Sequence, residues 1–315
     1  MVNLILNENM KIYRKVSTWI MIALLLIAVS LFGLILKMEE KDAMNEPDWR
    51  VSIEEQNKQI QQDLSMEEGM PEQFIEMQER ALLVNEYRLE NNIPPQTESV
   101  WSFTSEVAPV ISLITLFTII VGASTVASEF SWGTIKLLLI RPVSRSKILL
   151  SKYLSTNLFA LLCLFILFSF SFLVGSILFG FNGFLDPYLT VHDGVVVEKS
   201  MIGYVIGQYG LSSINLVMMS TFAFMISTIF RSSSLSIGLA IFLMFTGVNV
   251  TQFVAMKYDW AKYILFANTD LSQYLNGMPF IEGMTMSFSI MMLVIYFIIF
   301  NALSWIIFNK RDVSA

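Results

Sequence analysis

Cysteine and histidine are almost absent from the sequence, which has one residue of each in 315. Cys163 lies in an apolar run, so an intrachain disulfide is excluded and we expect a small buried hydrophobic side chain. His192 lies in the loop stretch VHDGVVVEKS, whose context supports no catalytic triad. We therefore expect neither a metal site nor thiol chemistry.

Charged residues are also scarce. They make up 15% of the chain, and hydrophobic residues make up 55%. Soluble domains usually carry about a quarter charged residues. Together with a mean hydropathy of +0.61, this deficit predicts a polytopic, all-α membrane protein.

The phosphate-binding motif G-x-x-x-x-G-K-[ST] is missing, so we expect no nucleotide site and no cofactor in this chain. H-E-x-x-H is missing as well, and no pattern supplies a nucleophile with its base, so an enzyme is not expected. Nothing in the sequence indicates a nucleic-acid partner. A binding, structural or transport role is left.

Six runs are long enough to cross about 30 Å of hydrocarbon, which takes about 20 mostly apolar residues. No ionisable residue lies near the centre of any run, whereas carriers driven by ion gradients usually keep such residues there. Any energy for transport would therefore come from another subunit. The predicted spans are Trp19–Leu36, Val107–Ala127, Asn157–Phe181, Val205–Phe230, Leu235–Ala255 and Thr285–Phe308.

Neutral polar and small residues inside the spans are expected to serve helix packing. Asn215 can form hydrogen bonds between helices. Gly203 and Gly207 have the G-x-x-x-G spacing that permits close helix approach.

The distribution of basic residues predicts the orientation. With the N-terminus in the cytoplasm, the inner pieces 1–18, 128–156, 231–234 and 309–315 hold eleven Lys or Arg and three acids. The other side holds nine basic residues and 23 acids. The positive-inside rule therefore places both termini in the cytoplasm, in a cell membrane that we expect to be bacterial.

The largest stretch outside the spans, residues 37–100, is an acidic insert with 16 acids and six bases. Helices are expected over about 51–67 and 72–91, with GMP at 69–71 between them. A solvated helical hairpin is the simpler interpretation. A cap over an exit path, or a receptor for a cationic ligand, is the functional alternative.

The cytoplasmic stretch 127–153 is predicted to form an elbow between the second and third spans. A first helix, SEFSWGTIKLLL, places Glu129, Gly133 and Lys136 on one stripe. Trp132 lies on a neighbouring face that is expected to contact lipid or neighbouring helices. Arg141 and Pro142 end this helix, and Ser144 can cap the second helix, which continues into the third span.

The elbow resembles the hallmark of the ABC-2 type permeases, the membrane subunits of one class of ATP-driven exporters. That hallmark runs from a Glu through Gly-Thr, a Leu pair and Pro-x-Ser-Arg to a Lys before the third span. The matching residues here are Glu129, Gly133-Thr134, Leu137-Leu138, Pro142, Ser144-Arg145 and Lys152.

The resemblance implies one transmembrane domain over 1–315 with a near-membrane N-terminal helix and a coupling elbow at 128–148. It also implies partners: a second permease copy or a related chain, ATPase subunits that bind ATP and Mg²⁺, and the lipid bilayer. A peptide, lipid-like or amphiphilic antimicrobial cargo is expected on family grounds. The residues expected to couple to the ATPase are Glu129, Trp132, Gly133, Thr134, Lys136, Arg141, Pro142, Ser144, Arg145 and Lys147.

Three other classes stay open at this point. The chain could be a membrane receptor or immunity protein that binds a peptide through 37–100 without transport. An ion-coupled carrier and a membrane enzyme are disfavoured by the missing midplane charges and the missing catalytic patterns. Altering Glu129 should impair an exporter and leave a receptor intact.

Overall fold

The computed structural model describes residues 1–43, 48–65, 72–95, 98–135, 143–181, 186–192, 194–230, 232–277 and 279–310. Six helical segments within them are long and apolar enough to cross a membrane, which makes the chain a mostly helical, multi-pass membrane protein. These segments are Val16–Glu39, Val100–Ser131, Arg145–Leu178, Met201–Ile229, Ser233–Ala255 and Met286–Lys310. All six predicted spans are confirmed as helices of spanning length, but the second helix begins seven residues and the third twelve residues earlier than predicted.

The helices follow the chain in the order α1 to α11. They are α1 Val2–Tyr13, α2 Val16–Ala43, α3 Trp49–Ser65, α4 Glu72–Asn91, α5 Val100–Glu106, α6 Ile111–Ser131, α7 Arg145–Leu178, α8 Met201–Ile229, α9 Ser233–Ala255, α10 Leu265–Asn268 and α11 Met286–Lys310. A 3₁₀ turn at Ala108–Val110 joins α5 to α6. Proline in this turn supplies no N–H, which suits the start of a helix.

The segment between α7 and α8 contains a β-hairpin, Pro187–His192 (β1) with Val195–Ser200 (β2), paired antiparallel. The sequence analysis did not predict it, so the expected all-α fold is corrected to a helical fold with one hairpin. The run Val195–Val197 is β-branched and favours a strand. The two helices predicted in the insert are confirmed as α3 and α4.

Hydrogen bonds between distant segments define two ends of the helix bundle. At one end, which we call the α1 end, Arg145 donates to Asn309 O at 3.2 Å and the backbone N of Ser233 donates to Ser131 Oγ at 3.2 Å. At the other end, α3, α4 and the hairpin form what we call the head. There Lys199 donates to Leu275 O at 3.1 Å.

The core lies along α6 and α8, between α7 and α9. Its largest fully buried side chains include Phe103, Phe159 and Phe224. Two glycines allow backbones to approach closely. A Cβ at Gly122 would lie 3.2 Å from Thr156 Cγ2, and a Cβ at Gly175 would lie 2.9 Å from Phe103 Cδ1.

The predicted packing role of Gly203 and Gly207 is wrong within the chain. A Cβ at Gly203 would meet only Ser200 of its own helix start, at 3.7 Å or more. A Cβ at Gly207 would meet Leu275 at an ordinary 3.7 Å. No helix approaches this pair closely in the described part of the chain, because α8 here faces residues 256–285 between α9 and α11, which we call the outer segment.

The first predicted helix of the elbow is also corrected. The helix α6 continues unbroken through Glu129 and ends at Ser131, and Gly133 then adopts a φ of +71°. Glycine tolerates this left-handed conformation, whereas other residues are strained there. Glu129 and Gly133 therefore do not share a stripe of one helix, and Glu129 belongs to the last turn of a membrane helix.

Candidate functional site

The helix α1 brings two charged side chains to the base of the bundle. Glu8 and Lys11 are one turn apart, and Lys11 Nζ lies 2.8 Å from Glu8 Oε1. Glu8 is 6% exposed, because this face of α1 packs against α7. Thr18 Oγ1 donates to Ile12 O at 2.6 Å and fixes the bend into α2.

Lys152 is the centre of the site. It lies two turns into α7, is 1% exposed, and donates from Nζ to two carboxylates. One is Glu8 Oε2 at 2.9 Å and the other is Glu129 Oε1 at 2.8 Å. Thr125 O accepts a third hydrogen bond at 3.3 Å, so all three N–H donors of the ammonium group are used.

The carboxylate of Glu129 joins three elements. Its Oε1 accepts from Lys152 of α7 and also from Lys11 of α1, at 2.9 Å. Its Oε2 accepts a short hydrogen bond from Thr134 Oγ1, beyond the end of α6. We call Glu8, Lys11, Glu129 and Lys152 the ion cluster.

The electrostatics of the ion cluster balance, since two carboxylates face two ammonium groups. Burial lowers the pKa of Lys11, but its hydrogen bonds to Glu8 and Glu129 outweigh that effect and raise it overall. Burial lowers the pKa of the neighbouring Lys15, and repulsion by Lys152 adds to that effect. Lys15 Nζ lies 5.9 Å from the ring centroid of Trp132.

The ion cluster joins three elements of the fold, because Lys152 of α7 bonds to carboxylates of α1 and α6. Separating one partner of a buried ion pair from the other leaves an uncompensated charge, so moving α1 or α6 away from Lys152 is expected to be costly. The base of α7, the end of α6 and the whole of α1 are therefore expected to move as one body.

The structure disperses the residues predicted to couple to an ATPase. Glu129 is buried in the ion cluster rather than exposed at a surface, and its expected coupling to an ATPase stays a prediction. Trp132 is 69% exposed, as expected for a side chain facing lipid or a partner. Gly133 has no heavy atom within 4 Å of a built Cβ, and Thr134 bonds to Glu129.

The remaining elbow residues are partly described. Ser144 holds the predicted N-cap position of α7, but its side chain makes no capping hydrogen bond. Lys147 is exposed, and Arg145 is tied to Asn309 of α11. Lys136, Arg141 and Pro142 lie outside the described residues.

Sequence reasoning missed Glu8 and Lys11 entirely, and it treated Lys152 only as part of the hallmark. Glu8 is the one acid in the otherwise basic first 18 residues, and it precedes Lys11 by one helical turn. That pattern could have marked a partner for Lys152. The pairing itself spans 144 positions and has no local signal.

A second polar region lies near the head, where a cavity of about 640 Å³ opens between α6, α8, α9 and the outer segment. Asn215, predicted to pack helices, lies on its wall beside Ser212 and Gln252. Neither Asn215 nor Gln252 has a side-chain hydrogen bond to another described residue, so both amides are available to water or a ligand. Among the described residues, no group of three His, Cys, Asp or Glu side chains could hold a metal ion.

Arg80 fastens the head to the outer segment. Its Nη1 donates to Val191 O at 3.1 Å and Asn276 O at 2.8 Å, and its Nη2 donates to Gly277 O at 2.7 Å. Its Nε and Nη2 also contact Glu76 Oε1, at 3.1 and 2.8 Å. These five contacts use every N–H of the guanidinium group.

Replacing Arg80 with Gln is expected to release the head, because one amide cannot reach three carbonyls on two segments. Hydrogen exchange measured by mass spectrometry should be about tenfold faster, or more, across α4 and β1. This factor corresponds to a loss of roughly 1.5 kcal/mol or more in the free energy of local opening. Lys58→Gln, an exposed cation on α3, is the matched control. Equal exchange in the two variants would contradict the role of Arg80.

Comparison with known proteins gives a family but no activity. Residues 66–314 match a family described as "Protein of unknown function (DUF2705)". The chain is 45% identical over 321 aligned positions to "Uncharacterized protein YhcI" of Bacillus subtilis strain 168, with all of both chains covered. It is 31% identical to "Uncharacterized membrane protein YdbK" of the same organism, over 64% of this chain and 78% of that one.

Proposed function

We propose that this chain, which belongs to the family described as "Protein of unknown function (DUF2705)", is the permease subunit of an ABC-2 type exporter. It works in a bacterial cell membrane as a pair, with a second copy or a related chain. Separate nucleotide-binding subunits supply the ATP and Mg²⁺ chemistry. The cargo is a peptide, a lipid-like molecule or an amphiphilic antimicrobial compound.

The proposal places the α1 end in the cytoplasm and the head outside. The imbalance of basic residues supports this orientation, with eleven Lys or Arg in the inner pieces. The relative called a membrane protein and the six apolar helices support a multi-pass chain, but the direction of insertion rests on the charge pattern alone.

The observation that carries the proposal is the buried Lys152, which bridges Glu8 of α1 and Glu129 of α6 from the base of α7. The elbow 128–148 connects α6 to α7, the two membrane helices that carry Glu129 and Lys152. A flexible connection would not transmit a movement of the ATPase to the membrane helices. A joint held by a buried ion cluster would transmit it to α1, α6 and α7 together.

Within this mechanism, Glu129 is an internal part of the ion cluster rather than part of the contact surface. Trp132, Arg145 and Lys147 lie on or near the surface around the elbow and are the candidates for contact with the ATPase. Gly133 lets the chain turn sharply between the ion cluster and that contact surface.

Purification of the tagged chain from its own host in mild detergent tests the class directly. We expect a P-loop ATPase to be recovered at comparable abundance and identified by mass spectrometry. Clean preparations without an ATPase under several mild conditions would overturn the exporter proposal and favour the receptor or immunity alternative.

A variant at the elbow tests the coupling. Gly133→Trp is expected to lower cargo-stimulated ATP hydrolysis by the reconstituted complex at least tenfold, because only glycine adopts a φ of +71° without strain. Gly194→Trp is the matched control, since Gly194 has a φ of +75°, open surroundings and a place in the head. Unchanged stimulation in Gly133→Trp would contradict the coupling role.

A further inference from the structure

The head contains a cleft of about 800 Å³ between α3, α4 and β1. This volume falls within the range of about 300–1,000 Å³ that is typical of ligand sites. Most of its wall is apolar, including Trp49, Ile53, Val84 and Leu189. Ile53 and Leu189 are almost completely buried, at 3% and 7% exposed, so the cleft is walled by packed side chains.

The charge of the cleft is opposite to that of the head. Residues 37–100 carry 16 acids and six bases, yet the residues that line the cleft include two arginines and, in the described structure, no carboxylate. If the charged residues of 37–100 were distributed at random, acidic residues would outnumber basic residues in the cleft. The lining therefore suits an anionic group and disfavours the cationic ligand considered from the sequence.

Only one of the two arginines is available to such a ligand. Arg80 uses all of its N–H groups on Glu76 and three backbone carbonyls. Arg88 donates from Nη1 to Pro94 O at 2.7 Å, and its Nε and Nη2 have no acceptor among the described residues. Arg88 is half-buried and always cationic, so it would gain from an anionic partner.

The strand β1 supplies a backbone edge to the same cleft. In the described chain β1 pairs with β2 alone, and the pairs alternate between hydrogen-bonded and non-hydrogen-bonded. His192 and Val195 are partners with only two residues between them, which makes them a hydrogen-bonded pair, so the backbone groups of Val191 and Leu189 point away from β2. Val191 O accordingly accepts from Arg80 on α4.

We propose that this cleft binds an extended, mainly apolar peptide segment that carries a carboxylate. The peptide backbone pairs with the N–H and C=O of Leu189, its apolar side chains contact Trp49, Ile53 and Val84, and its carboxylate accepts hydrogen bonds from Arg88. Addition of a strand to an open edge is an established mode of peptide recognition. The site is independent of the ATPase and does not rest on the exporter proposal.

The test uses the full chain in lipid nanodiscs and a fluorescein-labelled apolar pentapeptide, measured by fluorescence anisotropy. The probe with a free C-terminal carboxylate should bind at least tenfold more tightly than the same probe with a C-terminal amide. Arg88→Gln should remove most of that preference, whereas Lys58→Gln, an exposed cation of α3 outside the cleft, should keep it.

Two N-methylated probes test the strand pairing without altering the protein. One probe carries N-methyl groups on its odd-numbered residues and the other on its even-numbered residues. Only one of these sets of N–H groups would face β1, so one probe should lose binding and the other should keep it. Loss or retention of binding by both probes overturns the pairing with Leu189. Equal affinity of the acid and amide probes overturns the peptide proposal. Binding of dodecanoate, a fatty-acid anion, without binding of the acid probe overturns it as well.

Discussion

Lys152→Met is expected to destabilise the chain by about 3–5 kcal/mol, which is the typical loss when one partner of a buried ion pair is removed. Methionine nearly matches the length of lysine but supplies no charge and no N–H donor. Glu8 and Glu129 would then stay buried with Lys11 as their only ammonium partner in the described part of the chain. Helix α1 would lose its charged tie to α7.

The comparison variant is Lys147→Met, because Lys147 lies on the same helix and is exposed. Both variants lose one positive charge, so a difference between them reports on burial. We would measure the midpoint of thermal unfolding in detergent and the protection of α1 from proteolysis. Equal midpoints in the two variants would contradict the ion cluster.

A combined variant separates charge from packing. Adding Glu8→Gln and Glu129→Gln to Lys152→Met, together with Lys11→Met, removes all four charges of the cluster. A partial recovery of stability relative to Lys152→Met alone is expected, since neutral buried groups cost less than unpaired charges. Additive losses across the four substitutions would show that the groups act separately.

Gly175→Val is expected to cost about 1–3 kcal/mol or more through overpacking. A Cβ here would lie 2.9 Å from Phe103 Cδ1 and 3.2 Å from the backbone Cα of Val100. The ring of Phe103 is fully buried, and the second contact is with backbone atoms of α5, which cannot be relieved by a change of rotamer. The contact between α5 and α7 would therefore have to open.

Gly210→Val is the matched control, because Gly210 is also helical and has no heavy atom within 4 Å of a built Cβ. Any general effect of valine on helix stability appears in both variants. We would compare thermal midpoints and the fraction of monodisperse protein. A Gly175→Val midpoint equal to that of Gly210→Val would show that α5 does not pack as described.

The two variants also differ in what they should do to the head. Val100 N donates to Gly180 O at 3.1 Å, so the start of α5 and the end of α7 are joined at the head end. Gly175→Val should therefore disturb the head, whereas Lys152→Met should disturb α1. Hydrogen exchange can distinguish the two patterns within one experiment.

The elbow illustrates how far sequence reasoning reached. Glu129, Lys152 and Ser144 were recognised as parts of a pattern, and Ser144 does hold the N-cap of α7. The pattern assigned Glu129 to an exposed stripe because helical spacing says which residues share a face but not what covers that face. Lys152 covers the helix face that carries Glu129. The helix α6 ends at Ser131, so Gly133 does not lie on that face.

The hairpin and the glycines show the same limit. G-x-x-x-G spacing indicated Gly203 and Gly207, but α7 meets α5 at Gly175 and α6 meets α8 at Gly122. Glycine is favoured where another segment packs closely against the helix, and a single sequence does not show which segments pack together. The strands at Pro187–His192 and Val195–Ser200 are short and depend on the packing of α4 against them.

The sequence by itself determined the membrane spans, the two helices of the insert and the uneven distribution of charge among the segments that connect the spans. These features depend on local composition and periodicity, since a helix needs a fixed length of apolar residues to cross hydrocarbon. Only the tertiary structure decided that Glu8 meets Lys152 across 144 positions, and that Arg88 faces an apolar cleft in an acidic head. Such contacts join residues far apart in the chain, and their free energy exists only after the helices have packed.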